Sequence, residues 1–145
     1  MIIRNFKKVV GIFLLLVASC SPDLVDDPIP FVPFGEITIN LTLPQYQPLS
    51  SDGGYVSIDG GVRGIILYRK SAGNFLAFER NCSFQPNDAC ATVDPQVLNM
   101  QDACCGSIFN YDGNPAGGLA WRPLRQYFTT YNAGISTLTV TDEVL

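Results

Sequence analysis

Histidine is absent from the 145-residue chain. Without imidazole no Ser-His-Asp or Cys-His nucleophile can be assembled, no histidine can ligate zinc, haem iron or a cluster, and no side chain titrates near neutrality unless strongly perturbed. Positive charge is scarce, with 9 Lys or Arg against 13 Asp or Glu and a formal net charge of −4. Beyond residue 19 the cations are scattered over Arg63, Arg69, Lys70, Arg80, Arg122 and Arg125, so the basic, aromatic-interleaved patch that nucleic acid requires is missing and no nucleic-acid partner is expected. Tryptophan occurs once, and long apolar runs are missing. No sustained helical period and no repeat of solenoid spacing appear beyond residue 20. No paired acid and base can be named in a plausible pocket, so no catalytic residue is assigned and an enzyme is not expected. What remains, 47% hydrophobic and 11% aromatic residues, is the composition of one globular domain.

Arg4, Lys7 and Lys8 form a cationic start, followed by the apolar run Val9 to Ala18 and then Ser19-Cys20. Ten apolar residues span about 15 Å as a helix, roughly half the hydrocarbon thickness of a bilayer, too short for a permanent span. The run reads as a cleaved signal over residues 1–19. Leu16-Val17-Ala18-Ser19-Cys20 resembles a bacterial lipobox, which implies that Cys20 is acylated and becomes the first residue of a lipoprotein. The lipid bilayer is then a partner through Cys20, and the location is the cell envelope, on the periplasmic side or at the surface. Without residues 1–19 the chain keeps 6 cationic against 13 acidic residues. Residues 20–35, with Pro22, Pro28, Pro30, Pro33, Asp23, Asp26 and Asp27, are expected to form a stiff tether.

From residue 36 to 145 the pattern is all-β. Glu36 to Leu43 alternates polar and apolar residues, which puts Ile37, Ile39 and Leu41 on one face of a half-buried strand ended by Pro44. Tyr55–Asp59, Gly64–Arg69, Phe75–Glu79, Arg125–Tyr131 and Ser136–Thr141 are further strand-like runs, the last two joined as a hairpin through Asn132-Ala133-Gly134. Gly53-Gly54 and Gly60-Gly61 lack the strand and helix context of a phosphate cradle and are turns. Short strands punctuated by Gly and Pro predict a sandwich or small barrel.

Residues 81–122 break this pattern and hold the remaining cysteines in two loops. The first reads Asn81-Cys82-Ser83-Phe84-Gln85-Pro86, with Cys90 beyond it. The second reads Asp102-Ala103-Cys104-Cys105-Gly106-Ser107-Ile108-Phe109. Gly113, Gly118-Leu119-Ala120, Pro123-Leu124 and Tyr127 follow at defined spacing. In these residues the chain resembles the Rieske iron–sulfur domain family, from about Val56 to Val140. There a Cys-x-His loop and a Cys-x-x-His-Gly-Ser-x-Phe loop hold a [2Fe–2S] cluster. The resemblance implies a Rieske-like antiparallel β-sandwich or small barrel with the two cysteine loops at one end.

The cluster ligands are not preserved. Cys82 keeps the first position, but Phe84 stands for the first histidine, Asp102 for the second cysteine and Cys105 for the second histidine. A phenyl ring offers iron no lone pair, so an ordinary Rieske cluster cannot form. No cofactor and no metal are expected. A [2Fe–2S] cluster with atypical ligands is kept as the reading that the family alone would give, and would make the chain an electron carrier. In an oxidising compartment four cysteines read first as disulfides. The resemblance implies Cys82–Cys105, across the emptied site, together with Cys90–Cys104, where some family members carry a bridge between the loops. A vicinal Cys104–Cys105 bond needs a strained ring and ranks last. A metal held by Cys82, Asp102 and Cys105 with Cys90 or Cys104, and a redox-active dithiol, are the rivals. Trp121 either packs or, if exposed, anchors a partner or a sugar ring. The expected function is therefore structural or interactive, with an envelope protein as candidate partner and a glycan- or peptide-binding module as a further alternative.

Overall fold

The computed structural model describes residues 27–145. The expected signal, Cys20 and the first part of the tether lie outside the described residues. Among the described residues there are ten strands: β1 (Ile37–Asn40), β2 (Tyr55–Ile58), β3 (Ile65–Ser71), β4 (Asn74–Glu79), β5 (Val93–Pro95), β6 (Met100–Asp102), β7 (Ile108–Phe109), β8 (Pro115–Gly117), β9 (Gln126–Asn132) and β10 (Thr137–Val144). They form two antiparallel sheets. The larger, ordered β1-β10-β9-β4-β3-β2, curls as a half-barrel, and β5-β6-β7-β8 form a second sheet inserted in sequence between β4 and β9. The chain is all-β, as its alternating pattern predicts. Among the described residues no helix is long and apolar enough to cross a membrane.

Two expectations are corrected. The first strand stops at Asn40 rather than continuing to Leu43, because Asn40 Oδ1 accepts bonds from the Thr42 N–H (2.9 Å) and Thr42 hydroxyl (2.7 Å) and bends the chain. A 3-10 helix over Pro44–Ser50 follows, which the sequence reading missed. Pro44 at its start fixes φ, and its Leu49 side chain is fully buried. The described part of the tether, residues 27–35, does not stand free of the domain. Arg122 Nη2 donates to the Asp27 carbonyl (2.9 Å) and Arg125 Nη2 to the Ile29 carbonyl (2.7 Å). The Arg125 guanidinium also lies over the Phe31 ring, and Phe34 meets Tyr127 edge-on at 5.0 Å.

Strands β3 and β4 are buried on both faces, which divides the interior into two cores. Ile65, Leu67, Phe75 and Ala77 point into one, with Leu49, Tyr127, Leu138 and Val140. Their alternating neighbours Ile66 and Phe78 point into the other, with Val93, Met100, Phe109 and Leu124 from the inserted segment. The inserted sheet thus completes its own core only by packing on the larger one.

At the end of β4 lies a buried carboxylate. Glu79 is fully buried and accepts the Val62 N–H (2.8 Å), the Arg63 N–H (3.0 Å), the Asn81 N–H (3.0 Å) and the Tyr127 hydroxyl (2.8 Å). A Cβ at Gly61 would sit 2.2 Å from its Oε2, so the turn carrying these donors closes only around glycine. Burial, and then the Glu79 carboxylate, push the Tyr127 phenol above its ordinary range. Burial, and then charge repulsion from the phenols of Tyr55 and Tyr68, whose rings stack at 5.7 and 4.2 Å, do the same to Tyr111. These groups hold their protons longer folded than unfolded, so above about pH 10 the unfolded chain binds fewer protons. The stability they contribute is complete below that pH and is lost as pH rises further, by up to about 1.4 kcal/mol per pH unit for each phenol. Urea unfolding from pH 8 to 11 checks this, and Tyr127→Phe should give a shallower decline; a flat profile would contradict it.

Candidate functional site

Both cysteine loops sit at one end of the inserted sheet, each anchored by backbone bonds that follow from its sequence. In the first, the Cys82 N–H donates to the Ala91 carbonyl (3.0 Å) and Asn81 bridges to Thr92, which fixes Cys82 where β4 ends. The rest of the loop is clamped by Arg63, whose Nη1 donates to the Ala89 carbonyl (2.7 Å) and Nη2 to the Asp88 carbonyl (2.5 Å). In the second, the Asp102 N–H donates to the Ser107 carbonyl and the Gly106 N–H to the Asp102 carbonyl, both at 2.9 Å, closing a tight turn between β6 and β7. Gly106 takes φ of 72° there, a conformation that favours glycine.

A third segment, 118–125, closes over the two. A Cβ on Gly118 would lie 2.3 Å from the Gly106 carbonyl oxygen and 2.6 Å from Ser107 Cα, so its approach to the second loop is backbone against backbone. The Ala120 N–H donates to Ser107 Oγ (3.0 Å). Ser83 Oγ donates to the Arg122 carbonyl (2.6 Å) while Arg122 Nη2 donates to the Ser83 carbonyl (2.7 Å), a reciprocal tie to the first loop. The spaced residues singled out in the sequence therefore have local causes. Gly113 also has positive φ and no room for a Cβ beside the Phe78 ring, and the Leu124 N–H donates to the Gly113 carbonyl (2.9 Å).

Of the two expected disulfides one is present. Cys90 and Cys104 are bonded, with a Cα–Cα distance of 5.7 Å, and join the far end of the first loop to the turn of the second. The expected Cys82–Cys105 bond is not formed: both are free thiols, their sulfurs 3.9 Å apart. The physical reason lies in the anchoring of the two backbones. Cys82 is held by Ala91, and the Cys105 thiol donates to Ser107 Oγ (3.0 Å), which leaves the sulfurs well beyond the roughly 2.05 Å of a disulfide. The adjacent cysteines thus point to different partners, Cys104 to Cys90 and Cys105 toward Cys82.

The positions that the resemblance assigns to cluster ligands are brought together for Cys82, Asp102 and Cys105. One donor atom from each lies within 4.8 Å of the others. Phe84 supplies no donor and packs, half-buried, against the second core. Asp102 is fully buried; its Oδ1 accepts the Cys104 N–H (2.7 Å), and its Oδ2 has no hydrogen-bond partner among the described residues. Burial pushes the Cys82 thiol well above its ordinary value, the Asp102 carboxylate and Cys105 push the same way, and the Phe84 backbone pulls it down. Buried thiols of this kind are poor nucleophiles unless a cation displaces the proton. Trp121 is 55% exposed and Leu119 59%, so the lone tryptophan is a surface residue with the Arg122 guanidinium 5.4 Å over its ring. Sequence reasoning missed Ser107 as the partner of Cys105 and Arg63 as the clamp of the first loop. Ser107 lies only two residues from Cys105, but Arg63 carries no local signal, since it reaches its acceptors from 25 and 26 residues away in sequence. Compared with known proteins, the chain matches no family model and no curated protein.

Proposed function

We propose that this chain is a lipid-anchored protein of the bacterial cell envelope, whose β domain is Rieske-like, lacks a [2Fe–2S] cluster and serves a structural or partner-binding role. One observation carries the reading: the two facing loops are cross-linked by Cys90–Cys104, while Phe84 and a sequence without histidine leave no imidazole for a cluster. A covalent bridge then does the mechanical work that a cluster does in the family, holding together loops with little core of their own. Anchoring rests on the cationic start, the short apolar run and Cys20. The interaction surface is the 118–125 segment, where Leu119 and Trp121 stand exposed beside the stapled loops. The exposed tryptophan favours a second reading, a glycan- or peptide-binding module.

Two measurements test the proposal. The full chain, expressed in bacteria, should fractionate with membranes and be released only by detergent, and Cys20→Ser should move it to the soluble fraction. The purified protein should be colourless and contain no acid-labile sulfide. A coloured protein with two irons and two sulfides per chain would restore the electron-carrier reading, and equal membrane retention of Cys20→Ser would remove the lipid anchor. Since Trp121 is the only tryptophan, saturable quenching of its fluorescence by envelope glycans would identify a sugar as the occupant.

A further inference from the structure

The open thiol pair and the carboxylate beside it have no task in a purely structural reading. The expectation of no metal rested on the lost cluster ligands and on the oxidation of free thiols, whereas Cys82 and Cys105 are free. Among the described residues Asp102 Oδ2 is a buried acceptor with no hydrogen-bond partner of good geometry, only the Cys82 thiol beside its carboxylate, an arrangement that costs stability unless a cation or donor meets it. Three donors, two sulfurs and an oxygen from separate residues, converge within 4.8 Å of one another. We propose that Cys82, Asp102 and Cys105 bind a single thiophilic divalent cation of the zinc class through two thiolates and one carboxylate.

The distances support one ion. Bonds of about 2.3 Å at a tetrahedral angle place two thiolate sulfurs about 3.8 Å apart. Cys82 and Cys105 stand at 3.9 Å. The same geometry asks for a carboxylate oxygen about 3.5 Å from each sulfur, and the Asp102 oxygen lies within 4.8 Å of both. Three donors do not make up the four that a two-iron cluster takes, and thiolates exclude calcium and magnesium, which prefer oxygen alone. The surroundings orient the ligands. The Cys104 N–H holds Asp102 by Oδ1, and the neighbouring Cys90–Cys104 bond removes the competing thiols. Ser107 Oγ already accepts the Ala120 N–H, so its own hydroxyl proton is free to turn toward a Cys105 thiolate. Three protein donors leave the fourth position to solvent or an exogenous ligand. The inference needs only this geometry and does not depend on the family reading.

The test uses the full chain purified in detergent without oxygen, titrated with Co2+ alone and then with Zn2+ alone. The expected result is one ion per chain, a Co2+ spectrum with thiolate charge-transfer and tetrahedral visible bands, and its displacement by Zn2+. Asp102→Asn should weaken Zn2+ binding by about 10- to 100-fold, and Cys105→Ser by at least as much with a weaker charge-transfer band. Cys82→Ser should abolish the spectrum. Because Cys82 is buried, Asp102→Asn and the half-buried Cys105→Ser decide the matter if that variant does not fold. Absence of a tetrahedral Co2+ spectrum in the wild type, equal Zn2+ affinity in wild type and variants, or a mass showing Cys82 bonded to Cys105 in the oxygen-free protein would each overturn the site. None of these readouts bears on membrane anchoring or on acid-labile sulfide, so failure here is separable from failure of the proposed function.

Discussion

Glu79→Ala is expected to destabilise the domain by about 3–5 kcal/mol, among the largest effects of any single substitution outside the hydrophobic cores. Its carboxylate receives three backbone N–H groups and one phenol, from the 59–64 turn, the start of the first cysteine loop and β9. Alanine leaves those donors buried and unpaired, and each unpaired donor costs about 1–3 kcal/mol before any water enters. The effect should exceed that of Tyr127→Phe, which removes only one donor and costs about 1 kcal/mol. Urea denaturation of the three proteins checks the order. A Glu79→Ala variant as stable as wild type would mean that the donors find other partners, and that the knot does not join the two halves of the fold.

Removing the Cys90–Cys104 bond is the second large effect. The bridge spans a sequence separation of 14, and closing a loop of that length contributes about 3 kcal/mol in the chain-entropy estimate. Cys90→Ser should therefore cost about 2–4 kcal/mol, whereas Cys105→Ser, which breaks no bridge, should cost about 1 kcal/mol in metal-free protein. The sequence expectation placed stabilising bonds on both pairs; the structure keeps the Cys90–Cys104 bond and removes the one at Cys105. A thiol count gives the companion result: denatured without reductant, the native chain should expose Cys82 and Cys105 to alkylation and keep Cys90 and Cys104 masked. If neither pair can be alkylated, both are bridged and the open site is lost. If all four react, the staple is absent.

The legible parts of the site were those with a local cause. Gly106, Gly113 and Gly118 announce themselves because each takes a positive φ, and at Gly113 and Gly118 a Cβ would also collide with neighbouring atoms. Cys82, Asp102 and Cys105 could be named together only through a family pattern, since nothing in their spacing says that two loops face each other. The choice between disulfide and open thiols was not legible. It depends on where the Ala91 carbonyl and the Ser107 hydroxyl hold the two cysteines, and a difference of under about 2 Å in sulfur position separates the alternatives.

By itself the sequence determined the all-β class, the approximate places of six of the ten strands of the described residues, and the impossibility of imidazole chemistry. Alternation of period two and turn residues are local properties, and the absence of a residue type holds in every fold. Tertiary structure decided what depends on distance: the burial of Glu79 at the junction of two cores, the docking of residues 27–35 by Arg122 and Arg125, and the exposure of Trp121. It also decided that Cys104 and Cys105, adjacent in the chain, serve different partners. Backbone position in three dimensions, not neighbourhood in sequence, selects which sulfur meets which group.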